Sequence, residues 1–307
     1  LLTLEKWVVT SPAIDSMQLN SFTLRLSDIS SVDLEKLHAL SMSVGWPHRS
    51  EDWQFLLEIG KGIAALDDID RVLGSAMWFP YGDDFATVGM VITSPRLQAN
   101  GAGQWFMEHL FRKIGDRDLG LSATRAARRL YLSLDFKAEA TVYQCQGEAL
   151  EPPVVALPAE SVFRPIQLSD LAEIAVLDRE AFGADRSVLL GRLLSQAKGI
   201  VLIRGGQISA FSLCRRFGRG YVIGPVVAPC DADAIAVVRP HVAEQAGSFL
   251  RLDTREKSGA FAEFLARSGL FVFDTVTSMS SGRHWPPASD SKDLNPRIYG
   301  LASHTLG

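Results

Sequence analysis

The sequence predicts an α/β protein made of two consecutive domains. Three observations carry that expectation. The chain has 307 residues, more than one ordinary small domain uses and comfortable for two. The stretch 149–159 holds Pro152, Pro153 and Pro158 and reads as a linker. On either side of it, segments of strand period and segments of helix period follow one another in the same order. The divisions expected are an N-terminal arm over 1–19, a first domain over 20–148, a linker over 149–159, and a second domain over 160–307.

In the first domain, 22–26 (Phe-Thr-Leu-Arg-Leu) alternates and reads as a strand. Asp28 or Ser30 is placed to cap a helix carrying Leu34, Leu37 and Leu40. Gly45-Trp46-Pro47-His48 breaks the pattern, and a second helix over 50–59 follows, capped by Ser50 with Glu51 and Asp52 in its first turn. Gly60 and Gly62 end it. Strands over 63–66 and 71–79 flank the acidic turn 67–70, and 81–84 is a second turn. Beyond the next strand and helix, 119–123 is a short strand, Thr124 caps a helix to about Leu134, and 136–146 reads as closing strands.

Residues 87–104 form the most informative stretch. Val88 to Thr93 is apolar and partly β-branched, as a buried strand requires. Ser94 and Pro95 end it, since proline has no N–H to give a ladder. Gln98-Ala99-Asn100-Gly101-Ala102-Gly103-Gln104 is a glycine turn, and Phe106, Leu110 and Ile114 then recur at helical spacing. Free N–H groups and the positive dipole end at a helix start suit a phosphate, and Gly101 and Gly103 leave room for close approach. The run Gly-x₄-Gly-Lys-Ser/Thr is missing, and Phe106 stands where a dinucleotide loop needs a small residue.

What fits is Gln-x-x-Gly-x-Gly, met by Gln98, Gly101 and Gly103. This resembles the acyl-CoA pyrophosphate loop of the GCN5-related N-acetyltransferases, the GNAT superfamily. A second motif, Ala127-Arg-Arg-Leu-Tyr131-Leu-Ser-Leu-Asp135-Phe136, resembles the family's Ala-x-x-Leu-Tyr-x-x-x-Gly-Phe and departs from it at Asp135, which tolerates a left-handed backbone better than most residues. The resemblance covers about 22–147. It implies tandem GNAT-like domains, each with a mixed, mostly antiparallel sheet flanked by helices.

The resemblance also implies chemistry: transfer of an acetyl or other acyl group from acetyl-CoA to the amine of a small-molecule or peptide acceptor. Met90, Val91, Ile92 and Thr93 would offer backbone groups to the pantetheine arm and polarise the thioester carbonyl. Gln98 to Gln104 would hold the pyrophosphate of coenzyme A. Tyr131 matches the family's general acid; its ordinary pKa of about 10 lies above the roughly 8.5 of a thiol, so a neutral phenol is available. An ammonium acceptor must lose a proton before attack, and Glu58, Asp83, Asp84 and His48 are candidate bases. Trp46, Trp53, Trp78, Phe79 and Tyr81 would line an acceptor pocket or pack the core. Core packing is the expectation for Trp78 and Phe79, and the acceptor side for Trp46 with His48.

The second half begins with a strand over 161–165, a helix over 170–182 and a helix over 187–196. Strands over 199–204 and 208–217 join at Gly205-Gly206, and 220–227 takes the place of the cofactor strand. There the loop motif fails: Ala228-Pro-Cys-Asp231-Ala-Asp233-Ala234 has no glycine and two carboxylates, which would repel a pyrophosphate. A strand over 249–253, a helix over 258–267 and the turn Gly269-Leu-Phe271 follow without the tyrosine. This half resembles the C-terminal domain of tandem GNAT proteins in degenerate form. Asp185 and Arg186 are expected to meet an acceptor or to form an internal ion pair.

Composition bounds the partners. Apolar content of 47% with 21% charge is that of a globular protein, and a net charge of −4 offers no surface for nucleic acid. Arg125, Arg128 and Arg129 form a local basic cluster. Cys145, Cys214 and Cys230 are too few and too scattered for a disulfide framework or a zinc site, so no metal is expected and the cytoplasm is. No apolar run has the roughly 20 residues of a membrane helix, and 1–20 carries charges and Pro12 instead of a signal core. The rival reading is a non-catalytic acyl-CoA-binding or regulatory protein; a third makes the second domain a docking module for a protein acceptor.

Overall fold

The computed structural model describes residues 16–19, 22–97, 101–287 and 295–307. The predicted loop positions Gln98, Ala99 and Asn100 lie outside the described residues. The chain divides into two compact units, 1–119 and 120–307.

The first unit holds β1 (Ser16–Leu19), β2 (Phe22–Asp28), α1 (Leu34–Ser43), α2 (Ser50–Ile59), β3 (Lys61–Leu66), β4 (Val72–Tyr81), β5 (Phe85–Thr93) and α3 (Ala102–Ile114). β1 to β5 form an antiparallel meander in chain order. The caps differ from those expected. Asp33, not Asp28 or Ser30, caps α1 by accepting the Glu35 N–H at 3.0 Å; Asp28 caps a separate 3-10 turn through the Ser30 N–H at 2.9 Å. At α2 the Asp52 carboxylate reaches back to the Arg49 N–H at 2.9 Å, and the guanidinium of Arg49 joins it at 2.7 Å, so Ser50 supplies no cap. Phe106 and Leu110 of α3 are fully buried. The Phe106 ring lies on Gly74 of β4, where a Cβ would stand 2.4 Å from it. A glycine in the middle of a strand is what lets α3 sit this close.

The second unit carries most of β6 (Asp118–Ala123), then α4 (Arg128–Ser133), β7 (Lys137–Glu148), β8 (Ser161–Pro165), α5 (Leu171–Phe182), α6 (Ser187–Leu194), β9 (Lys198–Arg204), β10 (Gln207–Phe217) and β11 (Gly220–Ala228). It continues with α7 (Asp231–Glu244), β12 (Phe249–Thr254), α8 (Ala260–Arg267), β13 (Phe271–Ser281) and β14 (Arg297–Gly300). Its strand order is β6-β13-β7-β12-β11-β10-β9-β8, with β14 on β11. β11 and β12 run parallel, and most other pairs are antiparallel. The sequence reading did not mark β1, α7, β13 or β14.

Residues 120–148 lie in the second unit because β7 is hydrogen-bonded on both sides, to β12 and to β13. The proline stretch is tied in at its start: Ala149 donates to the Ser248 carbonyl and Leu150 to that of Ser268, each at 2.9 Å. The core of this unit gathers Leu202, Ile223, Val226, Val237, Val238, Leu252, Phe261 and Tyr299.

Candidate functional site

β5 does not run evenly along β4. Phe85 to Gly89 stand opposite Tyr81 to Met77, and the ladder resumes with Ile92 opposite Ser75. Met90 and Val91 therefore face the single residue Ala76, which defines a β-bulge. Met90 has φ +50°, a backbone region that non-glycine residues rarely enter. Its carbonyl accepts the Ser75 hydroxyl at 2.7 Å in the buried sheet. That bond is worth more there than in water, and it holds the bulge. Ser75 was not among the predicted site residues; the signal that could have found it is a hydroxyl in the otherwise apolar run 72–79.

α3 opens on Gly101, which has φ +74° and ψ +1° and no side-chain cap. A Cβ built there would meet nothing within 4 Å. The first turn of α3 carries no acidic residue, so its N–H groups and the positive end of its dipole are not neutralised from within the helix. Ala102 is buried, Gly103 is half-buried, and the Gln104 amide bends along the helix to Glu108 at 3.0 Å. The first unit thus contains both described parts of the predicted cofactor segment, Met90–Thr93 and Gly101–Gln104.

Trp46 and His48 lie half-buried between α1 and α2, their rings tilted at 38° with centroids 5.7 Å apart. Asp84 is exposed in the β4–β5 turn, and its carbonyl accepts the Asp118 N–H at 2.9 Å. Asp83 is exposed beside Arg117, and Glu58 is exposed at the end of α2. Trp53 and Phe79 are fully buried, and Trp78 and Tyr81 nearly so; Trp53 gives its indole N–H to the Ser41 hydroxyl at 3.2 Å. These four belong to the core.

Tyr131 belongs to α4 in the second unit. It is 5% exposed and packs edge-on against Phe136 at 5.8 Å. Burial pushes its phenol well above the ordinary tyrosine value. Its carbonyl accepts N–H groups from Leu134 at 3.1 Å and Phe136 at 3.0 Å, and Asp135 between them has φ +60°. Aspartate therefore fills the left-handed position the motif reserves for glycine. In the same unit, Arg125, Arg128, Glu139, Thr141, Thr275 and Thr277 line a cleft of about 410 Å³.

The second half's counterpart of the glycine loop is closed by its own contacts. Asp233 is fully buried and paired with Arg204 at 2.8 and 3.0 Å. Asp231 accepts the Phe261 N–H at 3.0 Å and the Tyr299 hydroxyl at 2.8 Å. Arg186 is buried in a two-bonded pair with Asp178 at 2.7 and 2.9 Å and also donates to the Gly307 carbonyl at 2.6 Å. Asp185 accepts the Ser187 N–H at 2.9 Å and pairs with Arg179. Of the two roles open to Asp185 and Arg186, the internal ion pair is the one observed.

Residues 174–294 match the family model of an acetyltransferase (GNAT) domain. The uncharacterised N-acetyltransferase YitH of Bacillus subtilis (strain 168) is 23% identical over 288 residues, which cover 90% of this chain and 98% of that protein. Residues 174–294 thus belong to the GNAT superfamily. The GNAT fold extends over both halves: a proposed acetyltransferase from Pyrococcus horikoshii superposes with a TM-score of 0.73 at 18% identity, covering 95% of this chain and 98% of that one. A tandem GNAT protein from the clavulanic acid biosynthesis pathway gives a TM-score of 0.58 at 13% identity, with 85% and 99% covered. The fold is thus that of tandem GNAT proteins, and the matched segment is of the acetyltransferase kind. The family model falls on the half whose glycine loop is missing. No helix among the described residues is long and apolar enough to cross a membrane.

Proposed function

We propose that the chain transfers an acetyl group from acetyl-CoA to a primary amine, with the cofactor held by the first domain, 20–148, while the second, 160–307, is a degenerate partner. The observation that carries this reading is the uncapped start of α3 at Gly101, in the same compact unit as the Met90 bulge. Open space at Gly101 and an unneutralised helix start suit a pyrophosphate. A bulged strand suits backbone groups turned toward a ligand. The arrangement fits coenzyme A.

In this reading the amides of Gly101 to Gln104 take the pyrophosphate, and the backbone of Met90 to Thr93 pairs with the pantetheine arm and polarises the thioester carbonyl. The amine nitrogen attacks the carbonyl carbon and the C–S bond breaks. The phenol of Tyr131, kept protonated by burial, supplies the hydrogen bond and proton to the departing sulfur. The proton lost by the ammonium goes to a base on the acceptor side, where His48 beside Trp46, or Asp84, is placed to act.

The test is calorimetric titration of acetyl-CoA into the intact protein and into a Gly101→Trp, Gly103→Trp variant, followed by turnover on a panel of amines. Binding that is lost in the variant supports the first-domain site. Absence of binding to the intact protein would overturn the reading. Binding without turnover on small or peptide amines would favour the regulatory alternative.

A further inference from the structure

β11 and β12 run parallel, yet they pair at only three positions: Tyr221, Val222 and Ile223 opposite Leu250, Arg251 and Leu252. Beyond those the strands part, and β14 takes the gap. Arg297, Ile298 and Gly300 stand antiparallel opposite Ala228, Val227 and Val226 of β11. On the other side, the Leu301 N–H donates to the Asp253 carbonyl of β12 at 2.8 Å. Val226, Val227, Ala228, Tyr299 and Leu301 are all 0% exposed, so the wedge is dry.

The fit is close. A Cβ at Gly224 would lie 1.8 Å from the Leu301 carbonyl oxygen, so only glycine lets the tail seat. The Tyr299 ring packs edge-on against Phe261 at 5.0 Å, and its hydroxyl donates to Asp231 at 2.8 Å. Arg215 holds the Ala302 carbonyl at 3.1 Å.

β11 leads into α7 as β5 leads into α3. In the first half, the strand end and the helix start are the slot proposed for acyl-CoA. In the second, the same slot is filled from within. A backbone segment pairs with the strand edge where a pantetheine arm would pair, and the Asp231 carboxylate stands in the first turn of the helix. We propose that residues 297–301 are a built-in occupant of the second slot, so that the chain takes up one acyl-CoA, in its first half. This rests on the cofactor reading given above.

Amide hydrogen exchange on the full chain, with and without saturating acetyl-CoA, tests it alongside calorimetric stoichiometry. The Leu301 amide is expected to exchange slowly, within about twofold of the same rate in both conditions, and to speed up by about tenfold or more in Gly224→Ala, whose new methyl pushes the tail out. Should that variant not fold, Tyr299→Phe, which removes only the hydroxyl with its bonds to Asp231 and Arg297, is expected to speed the same amide by roughly threefold to tenfold. Stoichiometry should be one, falling to zero in Gly101→Trp. Faster Leu301 exchange on adding acetyl-CoA, or a binding event that survives Gly101→Trp at a stoichiometry of two, would overturn the occupied slot while leaving the first-half site standing. If the intact protein takes up no acetyl-CoA, the cofactor reading falls, and a Leu301 amide that is slow in the parent and fast in Gly224→Ala still supports the filled wedge.

Discussion

At the scale of single residues, the site reading predicts how Tyr131 and Ser75 behave. Tyr131→Phe removes the proton donor and leaves the ring, so kcat is expected to fall by about 100-fold or more with acetyl-CoA affinity unchanged, as steady-state kinetics and calorimetry would show. Ser75→Ala takes away the hydroxyl that holds the Met90 carbonyl; a cost of about 1–3 kcal/mol in stability should accompany a lower kcat, read by denaturant unfolding and by turnover. His241 supplies a pH test. Burial pushes its imidazole down to about 4, whereas in the unfolded chain it titrates near 6.5. The folded state thus holds histidine neutral where the unfolded state binds a proton. Stability is expected to fall as pH drops from about 6.5 to about 4, by about 3 kcal/mol in all. His241→Gln should flatten that part of the curve in pH-dependent unfolding. Tyr131 and Gly101 could be singled out as candidates because each belongs to a local pattern with fixed spacing. Ser75 was not, because its importance comes from a bulge on a neighbouring strand, and strand register is a property of two segments.

At the scale of elements, α3 depends on one glycine in the strand beneath it. Gly74→Ala puts a methyl into the Phe106 ring. It is expected to destabilise by about 1–3 kcal/mol and to weaken acetyl-CoA binding, since the helix start at Gly101 must shift with the helix; thermal unfolding and calorimetry would measure both. Most helices and strands were readable from periodicity. The first caps were assigned one turn or one residue away, since Asp28, Ser30 and Asp33 are chemically equal candidates and only the path of the backbone selects among them. α7 escaped because Ala234, Ile235, Ala236, Val237 and Val238 are all buried, and a helix covered on several sides has no apolar stripe to read. β13 escaped because Phe271, Val272 and Phe273 are exposed and break the alternation expected of a half-buried strand.

At the scale of the whole molecule, the two compact units divide between 119 and 120, while the change in composition falls at 149–159. A proline-rich segment marks where composition changes, but strand pairing decides what folds with what. β7 precedes the proline segment in the chain and is bonded on both edges by strands that follow it. Proteolytic cutting within 151–158 is therefore expected to leave two pieces that co-elute in size exclusion under native conditions and separate only in denaturant; pieces that part without denaturant would contradict the pairing.

The position of β7 also bears on how the protein is made. β7 ends at Glu148 and β13 at Ser281, 133 residues later. At about 5–20 residues per second, a nascent chain carries β7 for on the order of ten seconds before its last partner is synthesised. During that interval a twelve-residue strand leaves the ribosome with both edges open. Such an edge invites pairing with another chain, and contacts this distant in sequence form slowly. Synthesis therefore sets a window in which a chaperone or slow translation through 249–281 would govern yield, and expression at lower temperature should raise the soluble fraction more than a stabilising substitution in the first unit does.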